Sequence, residues 1–263
     1  MTAAALEWQP GAVASEEPKL RAALAALSRR RVFIGHQSVG MNVLDGMRAL
    51  ALESGAPLRI VEVTATDRPT DGAVLHGYLA ENGRPDLKLE SFARMFRAGP
   101  ALGAELALFK FCYADFDAST DVRALFSRYQ AMIADLRRVS PSTTFIHVTA
   151  PLTTVQGGPR ALIKRLLGRT PYGIEENARR AEYNALLRAA YSGKEPFFDL
   201  AAIESTGLDG SAATFEWRGR RVPALADEYT DDGGHLNGLG SRRGARALIT
   251  LLDGISGAQS AAH

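Results

Sequence analysis

A chain of 263 residues, 46% of them apolar, is long enough for one α/β domain, and its formal net charge of +2 provides no electrostatic footprint for nucleic acid. The single cysteine, Cys112, excludes an intrachain disulfide and leaves no cysteine-based zinc site, and we expect no cofactor. No stretch reaches the ~18 apolar residues of a membrane span, and residues 1–17 lack the basic start and apolar run of a signal peptide, so a cytoplasmic protein is expected.

Short apolar runs alternate with amphipathic segments along the chain. In chain order, the pattern predicts a helix over 19–28, a strand over 31–34, a helix over 39–52, a strand over 58–63, a helix over 89–96, a strand over 105–113, a helix over 122–139, a strand over 143–149, a helix over 174–191, a strand over 197–200 and a helix over 240–252. This alternation is typical of a parallel sheet with helices on both faces. We expect one domain over 17–256 with flexible tails at 1–16 and 257–263.

Two connections are unusually long. Residues 64–86 are rich in Gly, Asp and Pro, and residues 150–172 contain a plausible short amphipathic helix. Each connection either shapes the substrate site or is a plain surface excursion. The second connection carries the basic residues Arg160, Lys164, Arg165 and Arg169. We interpret them as a solvated helix face rather than as a surface for an anionic substrate or a membrane.

A candidate nucleophile, Ser38, follows the first predicted strand and stands at the start of the next helix. The first N–H groups of a helix are unpaired, and they can stabilise the oxyanion of a tetrahedral intermediate. A serine hydroxyl needs an adjacent base to act as a nucleophile. The alternative is that Ser38 merely caps the helix, a position that serine favours.

A candidate base, His235, lies in the polar, glycine-rich run that precedes the last predicted helix. Asp232 stands three residues before it. A carboxylate at that spacing can accept a hydrogen bond from the imidazole and hold it in one tautomer. The alternative is a surface turn, since an Asp-Asp-Gly-Gly sequence is common in turns.

Together, a serine after the first strand and an Asp-x-x-His motif before the last helix resemble the SGNH/GDSL hydrolase superfamily. The resemblance covers residues 31–252. It implies a three-layer α/β/α sandwich with a mostly parallel, flavodoxin-like sheet of about five strands. It also implies hydrolysis or transfer of an ester acyl group without a metal, with Ser38 as nucleophile, His235 as base and Asp232 as the residue that orients the base.

Two family motifs depart from their usual form. The Gly-Asp-Ser motif is replaced by His36-Gln37-Ser38, and only Asp115 agrees with the Gly-x-Asn-Asp motif. For the oxyanion hole, the resemblance implies a glycine N–H, for which Gly83 beside Asn82 is the first candidate and Gly77 the second. Substitutes for the missing asparagine are the Tyr113 hydroxyl, Asn82 and Lys110. For Lys110, a structural ion pair with Asp115 or Asp71 is the alternative.

The expected function is that of a serine esterase that removes a short acyl group, such as acetyl, from a carbohydrate or another small-molecule ester. Two alternatives stay open. The same triad serves an acyltransferase that excludes water from its acceptor site. A non-catalytic module that binds a carbohydrate or a partner is the third possibility, and the absent asparagine favours it.

Overall fold

The computed structural model describes residues 10–67 and 71–260, and its main element is a parallel sheet. The six strands of this sheet are β1 (Arg31–His36), β2 (Ile60–Glu62), β3 (Ala73–Tyr78), β4 (Leu106–Phe109), β5 (Thr144–Val148) and β6 (Phe197–Phe198). Their spatial order is β2-β3-β1-β4-β5-β6, and all neighbours pair in parallel. Without the edge strand β2, this is the flavodoxin order. The predicted parallel sheet is confirmed.

Helices cover both faces of the sheet. They are α1 (Pro10–Leu27), α2 (Ser38–Ser54), α3 (Pro85–Ala98), α4 (Val122–Val139), α5 (Gly158–Leu166), α6 (Ile174–Tyr191), α7 (Leu200–Glu204) and α8 (Gly238–Ser260). One core lies between the sheet and α1, α2 and α8, and the other lies between the sheet and α3, α4 and α6. Strand alternation divides the side chains: Val32 and Ile34 enter the first core, and Phe33 enters the second. The three-layer α/β/α sandwich is confirmed.

The prediction that residues 64–86 form one loop is wrong. They contain β3, which is buried between β1 and β2. The strand is short and includes His76 and Gly77, and the residues around it are typical of turns. Its apolar run is therefore too short to stand out in the sequence. Gly77 allows α3 to pack closely here, since a Cβ at this position would lie 2.6 Å from Cε of Met95 and would require the end of that side chain to move.

Two further differences concern regions outside the sheet. An antiparallel hairpin of β7 (Thr214–Trp217) and β8 (Arg220–Pro223) occupies a stretch with no predicted element. Helices α1 and α8 extend into residues 10–16 and 257–260, which were predicted as tails, and the rest of both tails lies outside the described residues. Within residues 10–67 and 71–260, no helix combines the length and the apolar character needed to cross a membrane.

The sheet order places the candidate residues. Strand β1 has β3 on one side and β4 on the other. In doubly wound sheets, ligands bind where the strand order reverses, at the carboxyl ends of the strands. Ser38 follows β1, and Cys112 and Tyr113 follow β4, so both segments lie at this edge.

Candidate active site

Ser38 is the first residue of α2, and it does not cap this helix. The N-cap is Gln37, which has an extended backbone (φ −135°, ψ 176°) and makes no side-chain capping bond. The Ser38 Oγ lies 3.8 Å from the Cys112 Sγ, and the residue is half-buried. The capping interpretation is therefore wrong, and the hydroxyl has no role in holding the helix end.

Asp232 and His235 form a close pair on the loop before α8. The His235 Nδ1 lies 2.6 Å from the Asp232 Oδ2, while the Asp232 Oδ1 accepts from the backbone N–H groups of Gly234 (2.9 Å) and His235 (2.8 Å). Partial burial disfavours the ionised carboxylate, but these hydrogen bonds outweigh it and lower the pKa of Asp232 well below its ordinary value. An ionised carboxylate only accepts, so Nδ1 carries the proton and Nε2 of a neutral ring is free to take one.

Tyr113 contacts the basic nitrogen of this pair. Its hydroxyl lies 3.3 Å from the His235 Nε2, and burial raises the pKa of Tyr113 to about 12, which keeps the hydroxyl protonated near neutral pH. Among the described residues, no direct hydrogen bond joins Ser38 to His235. A different contact holds their segments together: the Leu236 N–H donates to the Asn42 Oδ1 (3.2 Å), one helical turn after Ser38.

Gly83 and Asn82 belong to a buried ionic network. The Gly83 N–H donates to the Asp115 Oδ1 (2.9 Å), and the Cys112 N–H donates to the Asp115 Oδ2 (2.7 Å). The Lys88 Nζ donates to both oxygens of Asp115 (2.8 and 2.7 Å) and to the Asn82 Oδ1 (2.8 Å). The N–H predicted for the oxyanion is therefore already engaged within the protein. This contact gives the Gly83 N–H a structural role in place of the predicted oxyanion role, whereas the role of the Asn82 amide as an oxyanion donor stays a prediction.

Lys110 lies just after β4 and is buried. Its Nζ donates to the Phe111 carbonyl (2.9 Å), and burial lowers its pKa. The predicted ion pair with Asp115 or Asp71 is wrong, because Lys88 occupies Asp115 and Asp71 pairs with Arg59 at 3.5 Å. A contact of Lys110 with the catalytic residues stays a prediction.

Glu204, at the end of α7, is buried near this site. Its Oε2 accepts from the Leu152 N–H (2.7 Å). Burial raises its pKa from 4.5 to about 8, although the Leu152 N–H and the positive charges of Lys110 and Arg180 favour the ionised form. The folded protein therefore retains a proton here that the unfolded chain releases at lower pH.

A pH-dependent stability follows from Glu204. Between about pH 5 and 8 the folded state binds the extra proton, so this residue lowers the free energy of unfolding by up to about 1.4 kcal/mol per pH unit as pH rises. Glu204→Gln is expected to remove this slope, so the variant gains stability relative to wild type toward pH 8. Urea unfolding across that range measures the difference. The control is Glu90→Gln on an exposed glutamate, and parallel curves for Glu204→Gln and wild type would contradict the assignment.

A cavity of about 440 Å³ adjoins the Asp232–His235 pair. It is lined by Tyr113, Thr153, Thr154, Gln156, Lys164, Tyr172, Asp232, Gly233 and Gly234. The connection over residues 150–172 thus forms one wall, and the Thr154 N–H fixes this wall to the loop of Asp232 and His235 by donating to the Gly233 carbonyl (2.9 Å). The substrate-shaping interpretation of this connection fits its position.

Sequence reasoning missed three supporting residues. Lys88 holds Asp115, Asn42 holds the His235 loop, and the Arg180 Nε donates to the Tyr113 carbonyl (3.0 Å). Only Asn42 had a local signal, since it lies four residues after Ser38 on the same helix face. Lys88 and Arg180 act on residues distant in sequence, so no spacing reveals them.

Comparisons with known proteins concern the fold. No protein-family model matches the chain, and no curated protein matches it. The structure is similar to that of a proposed platelet activating factor from Streptococcus pneumonia, with a TM-score of 0.52 and 17% identity over 92% of this chain and 95% of that chain. A GDSL-like lipase from Bacteroides thetaiotaomicron gives a TM-score of 0.47 and 17% identity, over 95% and 98% of the two chains. The first of these similarities concerns the fold alone, and it agrees with the three-layer α/β/α sandwich described above.

Proposed function

We propose that the protein is a serine esterase in which Ser38, His235 and Asp232 form the catalytic triad. The observation that carries this proposal is the 2.6 Å contact between the Asp232 Oδ2 and the His235 Nδ1, on a loop tied to the helix that begins with Ser38. This contact leaves Nε2 as the proton acceptor. The Ser38 hydroxyl, which makes no capping hydrogen bond, is the nucleophile.

The reaction proceeds in two halves. The His235 Nε2 takes the proton of Ser38 while its Oγ attacks the acyl carbon, and the alcohol leaves with that proton. Water then attacks the acyl-enzyme and gives a proton to Nε2, and Nε2 passes a proton to the Ser38 Oγ as the bond to the acyl carbon breaks and the acid is released. The Ser38–His235 hydrogen bond forms in the substrate complex, since catalytic contacts often tighten only then. Asp232 stays ionised throughout and stabilises the imidazolium.

Two donors near Ser38 are proposed for the oxyanion. The Ser38 N–H lies at the start of α2, where the helix dipole favours negative charge. The Tyr113 hydroxyl, which now contacts Nε2, is the second donor once the serine takes its place at the base. Tyrosine keeps its hydroxyl proton near neutral pH, so this group is available there as a donor.

Replacement of Tyr113 by Phe tests the second donor. We expect Tyr113→Phe to lower kcat by roughly 10²-fold with little change in KM, since an oxyanion donor acts in the transition state. Tyr172→Phe, in the same cavity, is the matched control and should stay near wild type. Steady-state kinetics with an aryl acetate give both constants. A Tyr113→Phe enzyme with wild-type kcat would remove Tyr113 from the mechanism.

The proposed substrate is a short acyl ester, such as an acetyl group on a carbohydrate. The cavity supports this choice because its wall offers hydroxyl, amide and ammonium groups, from Thr154, Gln156 and Lys164, that suit a polyol. Preference for p-nitrophenyl acetate over the palmitate ester, and release of acetate from acetylated sugars, are the expected results. Acylation of an added sugar acceptor would instead identify a transferase.

Covalent labelling distinguishes an enzyme from a binding module. A fluorophosphonate is expected to modify Ser38, which peptide mass spectrometry locates, and the labelled protein should lose its esterase activity. The alternative of a non-catalytic module predicts no labelling at Ser38. Failure to label, together with no hydrolysis of the aryl acetate, would reject the proposed function.

A further inference from the structure

Helix α5 presents its apolar side chains to solvent rather than to the core. Leu162, Ile163 and Leu166 are exposed by 60, 56 and 78%, and Leu167, whose N–H donates to the Ile163 carbonyl just beyond the helix end, is exposed by 67%. They recur at spacings of one and four residues, so they share one helix face. Ala161, on the opposite face, is buried against the protein. A contiguous exposed aliphatic face of this kind marks an interaction surface.

The segment around this face is strongly basic. Residues 158–169 include four basic residues and no acidic one. The sequence alone favoured a solvated helix face for these basic residues, but the exposed aliphatic side chains change that interpretation. An outward apolar face on a basic helix is the pattern of segments that lie in the surface of a membrane with anionic lipids. A second copy of the chain fits less well, because a symmetric contact would bring two such basic segments together.

The face adjoins the mouth of the active-site cavity. Lys164, on the same helix, lines the cavity, as does Tyr172 just beyond it. Ala161 and Lys164 mark the side of α5 toward the protein, so the aliphatic face points away from the cavity. A surface that bound this face would lie beside the entrance to the site.

We propose that the aliphatic face of α5 docks on an anionic lipid surface. The leucine and isoleucine side chains enter the interface between headgroups and acyl chains, and the surrounding cations contact lipid phosphates. The docking surface does not depend on the proposed esterase activity. Only its use to collect substrate from the lipid surface rests on that function.

Vesicle sedimentation tests the docking surface. The wild-type protein is expected to bind vesicles of equal parts phosphatidylglycerol and phosphatidylcholine, and to bind pure phosphatidylcholine vesicles weakly. Leu162→Ser with Leu166→Ser should weaken binding by at least roughly tenfold, because the variant lacks two aliphatic side chains that the lipid would bury. The matched control is Leu52→Ser with Leu208→Ser, which changes two exposed leucines elsewhere (84 and 62% exposed) and should bind like wild type.

Separate measurements identify the other outcomes. Ser38→Ala should bind vesicles like wild type even though it lacks activity, which keeps docking and catalysis distinguishable. The α5 double variant should hydrolyse a soluble aryl acetate normally. Loss of that activity would instead indicate that α5 acts as a lid over the active-site cavity. Light scattering measures the oligomeric state of both proteins. A wild-type dimer that is absent from the double variant would show that the aliphatic face binds a second copy of the chain. Equal vesicle binding by wild type and the double variant, or no binding by either, would overturn the proposal.

Discussion

Ser38→Ala is expected to lower kcat/KM for an aryl acetate by roughly 10⁴-fold or more, the loss typical of a missing serine nucleophile. Without Oγ no acyl-enzyme forms, and hydrolysis falls to what the rest of the site supplies. Stability should change by less than about 0.5 kcal/mol, because the hydroxyl caps nothing and touches only the Cys112 thiol. Kinetics and urea unfolding on the same preparations provide both numbers.

The other end of the same helix provides the control. Ser54 ends α2, and its hydroxyl donates to the Leu50 carbonyl (2.7 Å). Ser54→Ala should retain full activity. Retention of wild-type turnover by Ser38→Ala would eliminate the triad, whereas loss of activity accompanied by unfolding would mean that Ser38 supports the structure.

Lys88→Met is expected to lower the free energy of unfolding by about 3–5 kcal/mol. Lys88 and Asp115 are both fully buried, with Nζ 2.7 Å from Oδ2. Removal of the ammonium group leaves a buried carboxylate without its counter-ion and leaves the Asn82 Oδ1 without its donor. Urea unfolding measures the loss.

An exposed ion pair is the matched control for Lys88. Arg128 lies 2.8 Å from Asp86, and both side chains are about half exposed (53 and 54%). Arg128→Met should cost no more than about 1 kcal/mol, as expected for a surface pair. If Lys88→Met were equally mild, the buried network would contribute little to the fold, and its role in holding the loops after β3 and β4 would need another explanation.

Sequence reasoning can locate a feature where its signal is local. The spacing of three residues predicted the Asp232–His235 contact, which the structure contains, and the apolar run before Ser38 placed this residue at the start of a helix. The catalytic roles of these residues stay predictions. Strand β3 was missed because its buried apolar core is short and stands among turn residues, while its position depends on pairing with β1 and β2. Such pairing leaves no periodic pattern in a single strand.

The charged interior could not be predicted for a related reason. Lys110 was the evident buried lysine, since it follows an apolar run, and the ion pair was expected there. The partner of Asp115 is instead Lys88, 27 residues away in sequence at the start of an amphipathic helix. Only the packing of α3 against the sheet brings these two charges together, and nothing in the spacing of residues encodes it.

The hydrogen bond from Leu236 to Asn42 has a consequence for biosynthesis. Its two residues are 194 positions apart, and the contact joins the nucleophile helix to the loop of the base. Helix α8, which follows that loop, packs against α2 so closely that a Cβ on Gly46 would lie 2.3 Å from the Ser241 carbonyl oxygen. During synthesis the chain therefore contains Ser38 long before it contains His235, and the α8 side chains that complete one core of the sheet come later still. The proposed esterase activity should arise only after α8 has docked against α2.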